Sequence, residues 1–260
     1  MSACTVIGLG EAGSIYATAL VEAGHTVTGY DPVAPTTPTG VTRANTAAEA
    51  VLHADIVLVL TGAAAAQPVA AECLPAMKPG SCYADMTSSS PSDMADIATT
   101  TSLAAFADIA ILGPVPLHGA KTPLMISGPG ARSAAALFGT LGAPAEVVGG
   151  PPGAAMAHKL LRSVLMKGLA SVVVEAVEAG RAAGLEDWIR DQIAAQLAGD
   201  GHAVIDRLVT GTKKHALRRS QEMQATHAFL DDLGVDAEMT AASAAAMQRI
   251  ASAAAPVHAA

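Results

Sequence analysis

The chain has 260 residues, of which 51% are hydrophobic, 15% charged and only 3% aromatic, and its net charge is −8. That length builds one large domain or two modest ones around a sizeable core, and the composition excludes global disorder. An acidic balance with few rings excludes a nucleic-acid footprint, and the longest nearly apolar run, Ile56 to Ala66, is too short for a bilayer and is broken by Thr61 and Gly62.

The first half alternates two periods. Thr5–Leu9 reads as a buried strand and Ala12–Ala23 as a helix stopped by Gly24. Thr26–Tyr30 is a β-branched strand ending at Asp31-Pro32, and the Pro/Thr-rich stretch from Pro32 to Gly40 is loop. Val41 begins a short strand, and Thr46 caps a helix running to His53. Asp55–Leu60 (DIVLVL) is continuously apolar, as in a strand covered on both faces. A helix over Gln67–Met77 stops at Pro79-Gly80; the strand Cys82–Met86 and a helix over Pro91–Thr100 follow. Ala107–Leu112 is a strand, the segment to Pro123 is irregular, and Leu124–Ser127, a helix Ala131–Leu141 and Ala145–Val148 close this half. Strand and helix in alternation predict an α/β fold with a doubly wound, mostly parallel sheet over residues 1–150.

Gly149-Gly150-Pro151-Pro152-Gly153 punctuates the chain. Residues 151–260 read as an all-helical domain that begins with a long interdomain helix, Ala154–Ala183. Glu186–Leu197 is a second helix, and the chain stays helical to about Ala254 with breaks near Gly199-Asp200-Gly201 and Gly234.

Gly8, Gly10 and Gly13 form G-x-G-x-x-G between a predicted strand and a predicted helix, and Asp31 closes the next strand 18 residues beyond Gly13. That context is what a dinucleotide site needs. The first glycine makes the turn, the second admits the pyrophosphate, and the third lets helix pack on strand, which is the Rossmann-type arrangement. The first helical turn, with Glu11 and Ala12, offers free N–H groups to phosphate. Asp31 accepts from ribose hydroxyls and repels a 2′-phosphate, favouring NAD, with NADP still possible through Arg43. Thr61, after the DIVLVL strand, joins the cofactor set.

Lys159, Ser163 and Lys167 recur every four residues on the long helix, among Leu160, Leu161, Val164, Leu165 and Leu169, with Arg162 about a turn from Lys159. Spacing alone favours lysines that snorkel from a half-buried helix. The sharper alternative is a lysine tuned toward neutrality that exchanges a proton with an alcohol or carbonyl oxygen.

Four segments resemble the β-hydroxyacid dehydrogenases, the group with 6-phosphogluconate and 3-hydroxyisobutyrate dehydrogenases. GLGEAGSIYATALVEAGH is similar to that family's opening fingerprint, DMTSSSP (Asp85–Pro91) to its D-x-S-T-x-x-P segment, GAKTPLMISGPG (Gly119–Gly130) to its third motif, and GAAMAHKLLRS (Gly153–Ser163) to its G-x-G-x-x-x-K-x-x-N-N helix. The resemblance implies Thr87 and Ser88 beside the nicotinamide, Lys159 as catalytic acid/base, and a homodimer. Ser163 stands where the family has its second asparagine and keeps one hydrogen-bond donor; Arg162 replaces the first. The Ser-Gly-Gly segment that holds a substrate carboxylate is replaced by Gly113-Pro114-Val115-Pro116, and proline has no N–H to donate. The departures mark a divergent branch with a phosphogluconate-dehydrogenase-like C-terminal domain.

Eight histidines form no HxH or HxxxH pair, so no metal site is expected. His118, Gly119, Arg162 and Lys167 are the substrate-side candidates. Cys4, Cys73 and Cys82, an odd number without CxxC spacing, suggest reduced thiols, and the N-terminus lacks the features of a secretory signal, so a cytoplasmic protein is expected. These features together predict an NAD(P)-dependent oxidoreductase acting on a small, anionic hydroxy acid or related carbonyl. An imine reductase and a non-catalytic dinucleotide sensor are the alternatives.

Overall fold

The computed structural model describes residues 1–100 and 103–254, and the chain divides into two compact units, Met1–Arg162 and Ser163–Ala260. In the first unit the elements run β1 (Ala3–Ile7), α1 (Glu11–Glu22), β2 (Thr26–Tyr30), β3 (Val41–Arg43), α2 (Ala47–Val51), β4 (Ile56–Val59), α3 (Ala66–Cys73), β5 (Cys82–Asp85), α4 (Pro91–Thr99), β6 (Ala105–Ile111), α5 (Val115–His118), β7 (Leu124–Ser127), α6 (Ala131–Thr140) and β8 (Ala145–Val147). The eight strands form one sheet in the order β3-β2-β1-β4-β5-β6-β7-β8. The order reverses direction between β1 and β4, which opens a crevice at the carboxyl ends of those strands.

Strand residues alternate between two cores, one on each face. Val6, Leu58 and Ile109 pack with Tyr16, Leu20 and Phe138 of α1 and α6. Ile7, Val57, Val59, Tyr83 and Phe106 pack with the α2, α3 and α4 side. Burial on both faces explains the unbroken apolar runs of β1 and β4. Tyr16 meets Phe138 edge-on at 5.8 Å and Tyr83 stacks on Phe106 at 5.8 Å, so the few aromatic rings fill the centres of these layers.

All strand pairs are parallel except β6–β7. A parallel return needs a crossover of a dozen or more residues, usually a full helix, whereas the segment between β6 and β7 carries only the one-turn α5 and a 3₁₀ turn, Gly119–Lys121. The helix expected over Gln67–Met77 is shorter than its pattern: α3 ends at Cys73 and gives way to a 3₁₀ turn at Leu74–Ala76, where Pro75 cannot continue the ladder. α4 begins with a reciprocal capping box between Ser90 and Asp93.

Helix α7 (Ala154–Ala182) begins in the first unit, and the division falls within it. The second unit continues with α8 (Glu186–Leu197), α9 (Gly201–Asp232) and α10 (Glu238–Ala254). α9 runs through the region expected to be one helix but leaves helical geometry at His215 (φ −123°, ψ 23°). Glu175 of α7 takes the role of a remote cap for α10, accepting from Met239 N (2.6 Å), Thr240 N (2.8 Å) and the Thr240 hydroxyl. Between the four helices lies a mostly apolar cavity of about 400 Å³ lined by Trp188, Phe229 and Met239, among others. No helix among the described residues is long and apolar enough to cross a membrane.

Candidate active site

The glycine turn sits at the carboxyl end of β1, beside the point where the strand order reverses. Gly8 has φ +94°, and its amide donates to Tyr30 O at 2.8 Å. A Cβ on Gly8 would lie 2.6 Å from Leu60 O and 3.1 Å from the Thr61 methyl, so Thr61 is brought against the turn. A Cβ on Gly13 would lie 1.8 Å from Gly8 O. Around Gly10 a Cβ would meet nothing within 4 Å. Gly10 is also the N-cap of α1 and supplies no side-chain cap, so the first-turn amides of Glu11, Ala12 and Gly13 are left to a ligand.

These features fit a dinucleotide: backbone donors at a helix start, an open approach over Gly10, and a carboxylate at the end of β2. The Asp31 carboxylate is partly committed to the fold. Its Oδ2 accepts from Leu9 N at 2.7 Å, and its Oδ1 from Val33 N at 2.8 Å and Ala34 N at 2.9 Å. Burial pushes this carboxyl up, but those three amides and the nearby Arg43 charge outweigh it and hold it below the ordinary carboxylate range. A carboxylate has about four acceptor positions, which leaves room for a ribose hydroxyl. The Arg43 guanidinium donates to the carbonyls of Asp31 (2.6 Å) and Ala34 (2.9 Å) and to Thr37 Oγ1 (3.1 Å), which fastens the loop after β2.

Gly10→Ala therefore separates ligand from fold. The methyl meets no protein atom, so unfolding by urea should change by no more than about 1 kcal/mol. NAD affinity, followed by titration of intrinsic fluorescence or calorimetry, should fall at least about tenfold because the methyl enters the pyrophosphate approach.

The second group of residues gathers where β5 ends. Thr87 is buried, its hydroxyl pairs with Ser89 Oγ at 2.7 Å, and its amide donates to Asp85 Oδ1 at 2.9 Å. Ser88, between them, is exposed and accepts from Lys159 Nζ at 3.2 Å, across 71 residues of sequence. Lys159 is half-buried near the start of α7. His118 is exposed at the end of α5, and Gly119 follows it with φ +61°. Arg162 is exposed; Ser163, half-buried, and Lys167, exposed, belong to the second unit. Burial pushes the thiols of Cys4, Cys73 and Cys82 each up to about 12, so none is a thiolate nucleophile near neutrality. Among the described residues no three His, Cys, Asp or Glu side chains cluster as metal ligands.

Of two buried carboxylates, Asp108 escapes the sequence reading, and Asp85 enters it only as the first residue of DMTSSSP. Asp85 and Asp108 are register partners on β5 and β6, point to the same face, and are both 0% exposed. Asp85 Oδ2 and Asp108 Oδ1 have no hydrogen-bond partner. Burial raises the Asp85 carboxyl, hydrogen bonds from Thr87 pull it partly back, and the Asp108 charge raises it again. An aspartate inside the apolar run FADIAI is the local sign of Asp108.

A raised folded-state pKa means that the folded chain keeps the Asp85 proton at a pH where the unfolded chain has lost it. Stability therefore falls as pH rises from the ordinary carboxylate value of 3.8 toward the raised one. Asp85→Asn should abolish that slope. It should also stabilise the protein at pH 7 by about 1–3 kcal/mol, since the new amide nitrogen can donate to the orphan Asp108 oxygen. Urea unfolding of both proteins between pH 4 and 7 (a range of about three units) checks this, and equal slopes would contradict it.

A doubly wound sheet with a glycine turn at its reversal point defines a dinucleotide-binding domain of the dehydrogenase kind. The chain belongs to the family described as the NAD binding domain of 6-phosphogluconate dehydrogenase, which matches residues 3–149, and the first unit is an NAD-binding domain. Residues 181–250 match a domain of unknown function, DUF1932. No curated protein matches the chain. Among solved structures, the conserved protein MTH1747, described as of unknown function and similar to 3-hydroxyacid dehydrogenases, is 25% identical with a TM-score of 0.66, over 96% of this chain and 97% of that one. An imine reductase from Myxococcus stipitatus, in complex with NAD+, is 21% identical with a TM-score of 0.82 over 97% and 94%. A reductive aminase from Aspergillus terreus, in complex with NADPH and ethyl-5-oxohexanoate, is likewise 21% identical, with a TM-score of 0.78 over 98% and 95%. The last two share the fold.

Proposed function

We propose that the chain is an NAD(P)-dependent oxidoreductase in which the bound nicotinamide exchanges hydride with a small, anionic hydroxy acid or related carbonyl compound. The observation that carries this reading is the 3.2 Å contact between Lys159 Nζ and Ser88 Oγ, which joins two of the resembling segments at one point. Residues 1–150 hold the cofactor through Gly8, Gly10, Glu11, Ala12, Gly13, Asp31 and Thr61, with Thr87 and Ser88 on the nicotinamide side. Residues 151–260 form the substrate and dimerisation domain.

Lys159 holds a proton at Nζ and gives it to the substrate oxygen as negative charge develops there; in the oxidative direction it takes the proton back. Ser88 orients the ammonium. Arg162, His118 and Gly119 of the first unit bind the anionic part of the substrate; Ser163 stands one turn on from Lys159 along α7, and Lys167 one turn further. The same ammonium could protonate an imine nitrogen, so C=N reduction is the second reading, favoured by the absence of the family's Ser-Gly-Gly carboxylate segment at Gly113–Pro116.

Hydroxy acids with NAD+ and NADP+, and carbonyls and cyclic imines with the reduced cofactors, separate these readings. Transfer of deuterium from 4-deuterated cofactor to a carbonyl carbon supports the first, and transfer only to an imine carbon supports the second. Tight cofactor binding without transfer to either leaves a sensor. A homodimer is part of the proposal. Val164, Leu165, Trp188, Ile205 and Leu217 of the helical unit are all more than half exposed, and a second copy would cover such side chains. Sedimentation showing only monomer at micromolar concentration removes that element.

A further inference from the structure

Helix α7 follows Pro151-Pro152-Gly153, which offers no capping side chain. α2 and α4 begin with Thr46 and Ser90, whose side chains cap them locally. The first amide of α7, Ala154 N, donates to Pro151 O at 3.1 Å, and the amides on either side of it, Gly153, Ala155 and Met156, end on the sheet. Asp108 Oδ2 accepts from Gly153 N at 2.9 Å, Met156 N at 3.2 Å and the Ser127 hydroxyl at 3.0 Å. Ser127 Oγ in turn accepts from Ala155 N at 3.0 Å. Gly153 has φ +97°, and a Cβ there would lie 2.4 Å from Pro91 O, so the start of α7 is seated directly on the first residue of α4. Every member of this network is buried.

A local serine or threonine would satisfy one of these donors with no charge to bury. A carboxylate placed in the sheet, beside a second carboxylate, is a costly way to end a helix. What it adds is placement. Asp108 lies on a strand in register with Asp85, and Asp85 shapes the loop that presents Ser88. The two halves of the Lys159–Ser88 pair are thus each tied to one of two adjacent strand positions, about 4.8 Å apart.

We propose that Asp108, with Ser127, is a positioning residue: by holding the first turn of α7 it sets Lys159 in register with Ser88. The proposal rests on the reading of Lys159 as the proton-transfer group, and its test reads the amine directly, without turnover. The lysines of the full-length protein are dimethylated with ¹³C-formaldehyde, the Lys159 signal is assigned with Lys159→Arg, and its position and titration are followed by NMR. Asp108→Ala and Ser127→Ala should shift both, while the signal of Lys78, held by Asp55 elsewhere on the surface, stays in place. Asp108→Asn, which keeps an acceptor oxygen, should restore the wild-type signal. On the substrate found by the screen, Asp108→Ala should lower kcat by on the order of 10²-fold, as a misplacement of about 1 Å does, with cofactor affinity unchanged.

If Asp108→Ala fails to fold, Ser127→Ala keeps the carboxylate and decides the matter by the same signal. An unmoved Lys159 signal in the variants that fold overturns the proposal, as does a cofactor affinity that falls in step with kcat. If Lys159→Met retains turnover while the NMR shifts appear as expected, the catalytic reading fails and the placement of Lys159 by Asp108 stands.

Discussion

Lys159→Met should lower kcat by about 10²–10⁴-fold, the loss typical of removing a general acid/base. At about 1.36 kcal/mol per tenfold this is roughly 2.7–5.4 kcal/mol of transition-state stabilisation. Methionine keeps the unbranched stem that covers apolar surface and removes only the ammonium. Lys159 is half-buried, and the contact it makes with the exposed Ser88 hydroxyl is given up. NAD affinity should stay nearly constant, because the pyrophosphate site proposed above is the Gly8–Gly13 turn, which Lys159 does not touch in the contact with Ser88. A fall in kcat and kcat/KM together, with an unchanged cofactor Kd, is the signature of an interaction made only in the transition state. Ser88→Ala and Ser163→Ala should each cost less, since they orient a proton donor and do not replace one. Substantial turnover by Lys159→Met across the pH range would point to another donor, with His118 the first to examine.

The sheet and the cofactor turn were legible because their signals are local. A continuous apolar strand, a glycine at the turn and an acidic residue closing the next strand all lie within Thr5–Asp31. The lysine helix was legible as a helix, but periodicity could not separate a catalytic lysine from a snorkelling one. The resemblance of GAAMAHKLLRS to a family motif is what puts the catalytic role forward as a proposal, and the contact with Ser88 comes from tertiary structure. The Asp108 network was hidden for the same reason. Its amide donors, Gly153 and Met156, lie 45 and 48 residues away, so an aspartate inside a strand pattern reads as an oddity with no visible partner. The reversal of β7 was not read from the sequence, where the segment to Pro123 appears only as irregular, and the break in α9 at His215 occurs at a residue that neither caps nor interrupts helices.

Gly13→Ala should be the most damaging of the small substitutions in the cofactor turn, although alanine is the better helix former. In an open helix position the exchange would gain up to about 1 kcal/mol, and Gly13 has no left-handed φ to forbid it. Space decides the sign. The added Cβ would stand 1.8 Å from the carbonyl oxygen of Gly8 and 2.9 Å from its carbon. Both are backbone atoms of the turn, and that turn is pinned by the bond from Gly8 N to Tyr30 O and by the Leu9 amide on Asp31. No side chain can rotate away, so α1 must lift from β1 by more than about 1 Å. Overpacking of this kind costs about 1–3 kcal/mol and sometimes more. It is a large share of the roughly 5–15 kcal/mol that holds a domain folded. The same displacement carries the first-turn amides away from the phosphates. Urea unfolding should therefore show a lowered midpoint and NAD titration no measurable binding. Gly10→Ala, three residues earlier, should unfold like wild type and lose affinity alone. Gly13→Ala with wild-type stability and affinity would mean that α1 does not pack on the turn as closely as these distances require.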